Sequence, residues 1–87
     1  MKKIVIDERI KQINGTKQNE EFAKRLAYVM KERNVTGSML SKMIETDKSK
    51  AYGWLRCEYL PNLTSFMKIC IALNVSADFL LFGEKDG

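Results

Sequence analysis

The 87-residue chain contains no histidine, one proline, two cysteines and few aromatic residues, and it has no long apolar run. Without histidine it lacks the commonest general base and the commonest metal ligand, which excludes His-based triads. Cys57 and Cys70 stand thirteen apart, with no C-x-x-C spacing and no histidine to complete a zinc set. They read as reduced thiols of a cytoplasmic protein. The longest apolar stretch, Ile69 to Leu73, and the short one at Ile4 to Ile6 are both insufficient for a membrane span or a signal peptide. Paired carboxylates such as Asp7 with Glu8 and Glu20 with Glu21 are only sequence neighbours, so no catalytic residue, cofactor or metal is expected.

What is present is the composition of a folded domain: 45% hydrophobic and 30% charged residues, at a length that allows one small core. The net charge of +4 becomes informative once it is located along the chain. Residues 1–34 carry nine cations and five anions, residues 35–56 four and two, and residues 57–87 two and four. The positive potential therefore belongs to the first two thirds, where it favours encounter with a polyanion.

Helical periodicity dominates from residue 19 on. Phe22, Leu26, Val29 and Met30 recur at i, i+4, i+7, i+8 and make one apolar stripe. Thr16 or Asn19 is the expected cap, with Glu20 and Glu21 in the first turn. Asn34-Val35-Thr36 then reads as a left-handed stop, an apolar plug and a new cap, and Asn74-Val75-Ser76 repeats it. Ile44-Glu45-Thr46-Asp47 is a rougher copy, and Pro61-Asn62 marks a further start. These junctions predict five helices, at 19–33, 37–44, 48–56, 63–73 and 77–82. Residues 1–18 form an N-terminal arm, residues 19–83 the domain, and residues 84–87 a tail. Within the arm, Ile4 and Ile6 fit a short strand, whereas Ile6, Ile10 and Ile13 fit a helix.

The most informative stretch is Val35 to Pro61, two short helices joined by a four-residue junction, the outline of a helix-turn-helix. In the second helix Ala51, Trp54 and Leu55 share one face and are expected in the core. Lys48, Ser49, Tyr52, Gly53 and Arg56 fall on the other. That outward set suits a major groove: Lys48, Ser49 and Tyr52 reach for base edges, Gly53 allows close approach, and Arg56 holds a phosphate. The alternative is an ordinary solvated helix face. The stripe Phe66, Ile69, Cys70 and Leu73 reads as core, and Met30, Met39, Met43 and Met67 as gap-fillers. Phe79 to Phe82 cannot all face one core, which leaves an apolar remainder for pairing.

From Phe22 to Gly83 the chain resembles the lambda-repressor-like (Cro/CI, XRE class) DNA-binding domains. The resemblance rests on Asn34-Val35-Thr36, Glu45-Thr46-Asp47, Trp54-Leu55-Arg56, Pro61, Leu73-Asn74-Val75-Ser76 and Asp78-Phe79-Leu80-Leu81-Phe82-Gly83 in that order. It implies an all-α, five-helix fold and a sequence-specific transcriptional regulator, a repressor, that binds double-stranded DNA. It places base contacts at Lys48 and Ser49, with Gly53 one turn on, and flanking contacts at Lys50 and Tyr52. Arg56 and the loop from Glu58 to Asn62 correspond to the region that touches the DNA backbone.

The chain departs from the family pattern at four points. Gly37 stands where a phosphate-gripping Gln is common, leaving the backbone amides of Gly37 and Ser38 for an anion. Glu45 replaces a turn glycine, Ala51 a β-branched residue, and Cys57 the glycine that ends the recognition helix. Ser41 is the small residue expected between the two helices, and Asp47 is placed to cap the second. A homodimer is expected through Phe79, Leu81 and Phe82 or through the N-terminal segment. The alternative function is a protein-interaction module on a helix-turn-helix fold whose DNA binding is weakened or lost.

Overall fold

Helix punctuation recurs four times along the chain in one geometry. Asn34, Glu45, Cys57 and Asn74 all have positive φ, between 51° and 65°. After each of them, an N–H reaches back to a carbonyl five residues earlier: Val35 to Met30 (2.8 Å), Thr46 to Ser41 (2.9 Å), Glu58 to Gly53 (3.0 Å) and Val75 to Cys70 (3.0 Å). This is the Schellman ending, which satisfies the last carbonyls of a helix and turns the chain sharply. Thr36, Asn62 and Ser76 then accept hydrogen bonds from the amides of Met39, Ser65 and Phe79, opening the next helix.

The result, in a computed structural model that describes residues 4–5, 7–13 and 15–84, is an all-helical fold. Among the described residues there are six helices and no strand: α1 (Glu8–Lys11), α2 (Gly15–Glu32), α3 (Gly37–Met43), α4 (Lys48–Leu55), α5 (Leu63–Leu73) and α6 (Ala77–Phe82). The sixth is α1, a single turn started by Asp7, whose carboxylate accepts the Arg9 amide at 2.8 Å. Arg9 in turn holds the Asp7 carboxyl below its usual range. The described part of the arm thus follows the helical alternative, but Ile10 and Ile13 are exposed; Ile6 lies outside the described residues.

α2 begins at Gly15, four residues ahead of the expected start. Thr16 and Asn19 lie inside the helix and do not cap it, and its first turn holds no acidic residue. Asn14 lies outside the described residues.

The core forms where α2 crosses α4 and α6 and where α3 packs on α4 and α5. Phe22, Leu26, Val29 and Met30 supply the α2 face, as the periodicity predicts. Leu40, Ile44, Ala51, Trp54, Phe66, Ile69, Leu73 and Leu80 complete the cluster, with Phe22 and Phe66 tilted against each other at 6.1 Å. Trp54 and the small Ala51 are both buried in this cluster. Ser41 is buried at the α3 crossing, its hydroxyl donating to the Ser38 carbonyl at 2.7 Å. Of the four methionines expected as gap-fillers only Met30 is one; Met39, Met43 and Met67 are exposed.

Two arginines, Arg25 within α2 and Arg33 just past its end, brace the C-terminal half. Arg25 donates from Nη1 to the carbonyls of Leu80 (3.3 Å) and Leu81 (3.1 Å) and pairs with Glu21 at 3.7 Å. Arg33 donates from Nε to the Leu73 carbonyl and from Nη2 to the Asn74 carbonyl at 3.2 Å. Both guanidiniums thus sit at the carbonyl-rich ends of α6 and α5, where the helix dipole favours a cation.

Candidate nucleic-acid interface

α3 and α4 pack directly on each other across the left-handed turn at Glu45. On α4, Ala51 and Trp54 are buried and Leu55 half-buried against the core, the inward stripe expected from their spacing. Lys48, Ser49, Lys50 and Arg56 are exposed, Ser49 and Arg56 on the side opposite that stripe and Lys48 and Lys50 on its two flanks. An inward apolar stripe and a solvent-exposed surround of three cations and a hydroxyl therefore share an eight-residue helix and its cap. The backbone of Asp47 has the extended geometry of a cap, but its carboxylate accepts no cap hydrogen bond. It stays exposed beside Lys48, which corrects the capping role expected of it.

Two glycines of the site are closed by the protein itself. The sequence leaves Gly37 with open amides and Gly53 open to a groove, yet both are buried. The Tyr52 ring lies on Gly37, where an added Cβ would stand 2.6 Å from Tyr52 Cζ. The Tyr59 ring lies on Gly53, where an added Cβ would stand 2.5 Å from Tyr59 Cζ. Each glycine is required because an aromatic ring packs where a side chain would be. Tyr52 is consequently half-buried, tied to the start of α3, and not a freely extended side chain. Ser38, next to Gly37, is half-buried, and its carbonyl receives the Ser41 hydroxyl.

Arg56 caps α4 with its backbone, while its guanidinium pairs with Glu58 across 3.0 Å. That hydrogen bond, with the Glu58 charge behind it, raises the Arg56 pKa beyond its usual value. The phosphate-holding cation of the sequence reading thus already has an anionic neighbour, though both side chains are largely solvated. Cys57 and Cys70 are free thiols, and burial pushes the Cys70 thiol up. Among the described residues no group of three or more His, Cys, Asp or Glu side chains is arranged to hold a metal ion.

The order of elements, the left-handed turn between α3 and α4 and the basic outer edge of α4 converge with the result of comparison. Residues 25–81 match the Cro/C1-type HTH DNA-binding domain. The chain belongs to this family. No curated protein and no solved structure matches the chain. Membership in the Cro/C1 type makes it a DNA-binding domain of a regulatory kind, with double-stranded DNA as its partner. No described helix is long and apolar enough to cross a membrane.

Sequence reasoning placed Tyr59 only within the Glu58 to Asn62 loop and missed its packing on Gly53, the engagement of Arg56 by Glu58, and the structural employment of Arg25 and Arg33. One signal was available for the first: a glycine inside a helix costs about 1 kcal/mol relative to alanine, so something must approach it closely. The sequence reading assigned that approach to DNA, and the structure shows an aromatic ring of the same chain.

Proposed function

We propose that the chain is a sequence-specific transcriptional regulator, a repressor that works as a homodimer in the cytoplasm, with α4 entering the major groove. The observation that carries this reading is the outer edge of α4. It keeps Lys48, Ser49, Lys50 and Arg56 in solvent while every large apolar residue of the helix turns inward. Lys48 and Ser49, at the N-terminal end, read base edges; Lys50 and Tyr52 flank them on sugar and phosphate. Arg56 holds a phosphate, and the amides of Gly37 and Ser38 add a weaker contact at the edge of the Tyr52 ring. Residues 19–83 act as the DNA-binding unit.

Two copies would pair through the exposed Leu81 and Phe82 together with the apolar arm. Phe79, grouped with them by sequence, is half-buried, and its ring packs on Tyr28 at 6.3 Å. Pairing of this kind sets two α4 helices on half-sites about one helical turn apart.

Selection from a random duplex library tests the reading, with saturable, salt-sensitive binding and a recurring motif as the expected result. Lys48→Ala should change the selected motif. Arg56→Ala should weaken all sequences and lower the salt slope by about one ion. Equal, sequence-blind losses from both variants would remove the base-reading role of Lys48.

One observation favours the second reading, a protein-interaction module. Leu63, Met67 and Ile71 recur at i, i+4, i+8 and stand exposed along α5, Ile71 at 80%. Size-exclusion chromatography with and without duplex DNA separates the two readings.

A further inference from the structure

The N-terminal arm lies outside the family match, which begins at residue 25. It does not close on the body of its own chain. Between α1, the first turns of α2 and the end of α6 lies a cleft of about 770 Å³. Three apolar side chains line it: Ile10 (64% exposed) and Ile13 (52%) from the arm, and Phe82 (59%) from α6. Arg9 and Arg25 also border the cleft, but Arg9 is ion-paired with Asp7 and Arg25 with Glu21. The apolar side chains are therefore what lacks a cover. Behind the Asp7 hydrogen bond, the charge of Glu84 also raises the Arg9 pKa, so the arm and the end of α6 lie within electrostatic reach of each other.

Area decides what a cover must include. Leu81 and Phe82 alone expose on the order of 200 Å², against the roughly 800 Å² per partner that a stable interface buries. Ile4, Val5, Ile10 and Ile13 bring the exposed total to on the order of 700 Å². Pairing through the end of α6 without the arm is thus too small to hold two chains together.

We propose, resting on the reading of the chain as a homodimer, that a second copy fills this cleft, each copy's Phe82 packing against Ile10 and Ile13 of the other. The contact is isologous, so two arms each clasp the opposite α6. Arg25 fixes the floor of the cleft through the Leu80 and Leu81 carbonyls, which leaves the arm as the element that closes. The arm is then the pairing device of this chain, added to a domain that lacks the area to pair alone.

The test is sedimentation equilibrium of the full-length chain over a range of concentrations, compared with the double variant Ile10→Ser, Ile13→Ser and with Phe82→Ser. All three side chains are exposed in a single chain, so the urea midpoint of the dilute, monomeric protein should not move. Wild type should dimerise, and each variant should weaken the dimer about a hundredfold or more. Combining the variants should cost much less than the product of the two losses, because they remove the same contact. Losses that multiply would place the arm and Phe82 at separate contacts and overturn the clasp. An arm variant that dimerises within about twofold of wild type while Phe82→Ser dissociates also overturns it, and leaves pairing through α6 standing. A wild-type chain that stays monomeric at every concentration removes the homodimer reading and this inference with it.

Discussion

α2 and α4 both carry clustered cations, but they use them differently. Arg25 on α2 and Arg33 just past its end donate to the C-terminal carbonyls of α6 and α5, three of those bonds lying between 3.1 and 3.3 Å. On α4, Lys48 and Lys50 are exposed, and Arg56 faces an exposed carboxylate. The first set is part of the scaffold, and the second remains available to a polyanion. The charge count of residues 1–34 therefore overstates the DNA-seeking potential of that segment. The location of a cation's partner, more than its place in the sequence, separates the two classes.

The contrast is broken most directly by neutralising the α4 set. Lys48→Ala combined with Arg56→Ala should weaken binding to a selected duplex about a hundredfold while leaving the urea midpoint unchanged. A stability loss in that variant would place those side chains in the scaffold. The mirror experiment is Arg33→Met, which keeps the stem and removes the donors. It should lower stability by about 1–2 kcal/mol, because two carbonyls at the end of α5 lose a charged donor. DNA affinity of the folded Arg33→Met protein should stay within twofold. A tenfold loss there would mean that α2 also touches DNA.

The backbone of this fold was more legible in the sequence than its surface. Asn34-Val35-Thr36 and Asn74-Val75-Ser76 announce helix end, plug and cap with residues whose local preferences agree with the tertiary fold: α2 ends and α3 begins at the first, α5 ends and α6 begins at the second. Ala51, Trp54 and Phe66 followed from periodicity alone. The start of α2 did not, because Thr16 and Asn19 are good caps that also tolerate a helix interior, and Gly15 gives no positive signal. The site was less legible still. Helical spacing tells which way Gly53 points, but the return of Tyr59 over it depends on a left-handed Cys57 that no propensity favours. Arg33 and the Leu73 carbonyl are forty residues apart in sequence, a pairing that only the packed fold creates.

A smaller effect sharpens the same division within the turn. Glu45 holds φ 57°, a conformation in which its Cβ crowds the backbone and from which glycine is free. Glu45→Gly should raise stability by about 1 kcal/mol, read as a shift of the urea midpoint with unchanged slope. An unchanged midpoint would mean that the unfolded chain gains as much freedom from the new glycine as the turn loses strain. Asn34 and Asn74 take the same conformation with a residue better suited to it, so Asn34→Gly should move the midpoint less.

The finest division runs through Arg56 itself, the C-cap of α4, whose guanidinium has an ion-pair partner among the described residues. Glu58 holds it at 3.0 Å, with both side chains at least half exposed, so salt screens the pair and DNA phosphates compete for the guanidinium. Replacing the carboxylate removes that competitor and an anion that repels the duplex. Glu58→Gln should therefore tighten binding about two- to fivefold at low ionic strength, and the gain should shrink as salt rises. The repulsive share and the pairing share separate in a double-mutant cycle with Arg56→Ala. If the gain vanishes in the Arg56→Ala background, Glu58 acts by holding the arginine, and the pair restrains DNA binding. If the gain survives intact, the carboxylate only repels phosphate, and Arg56 belongs with Lys48 and Lys50 as a cation free to bind DNA.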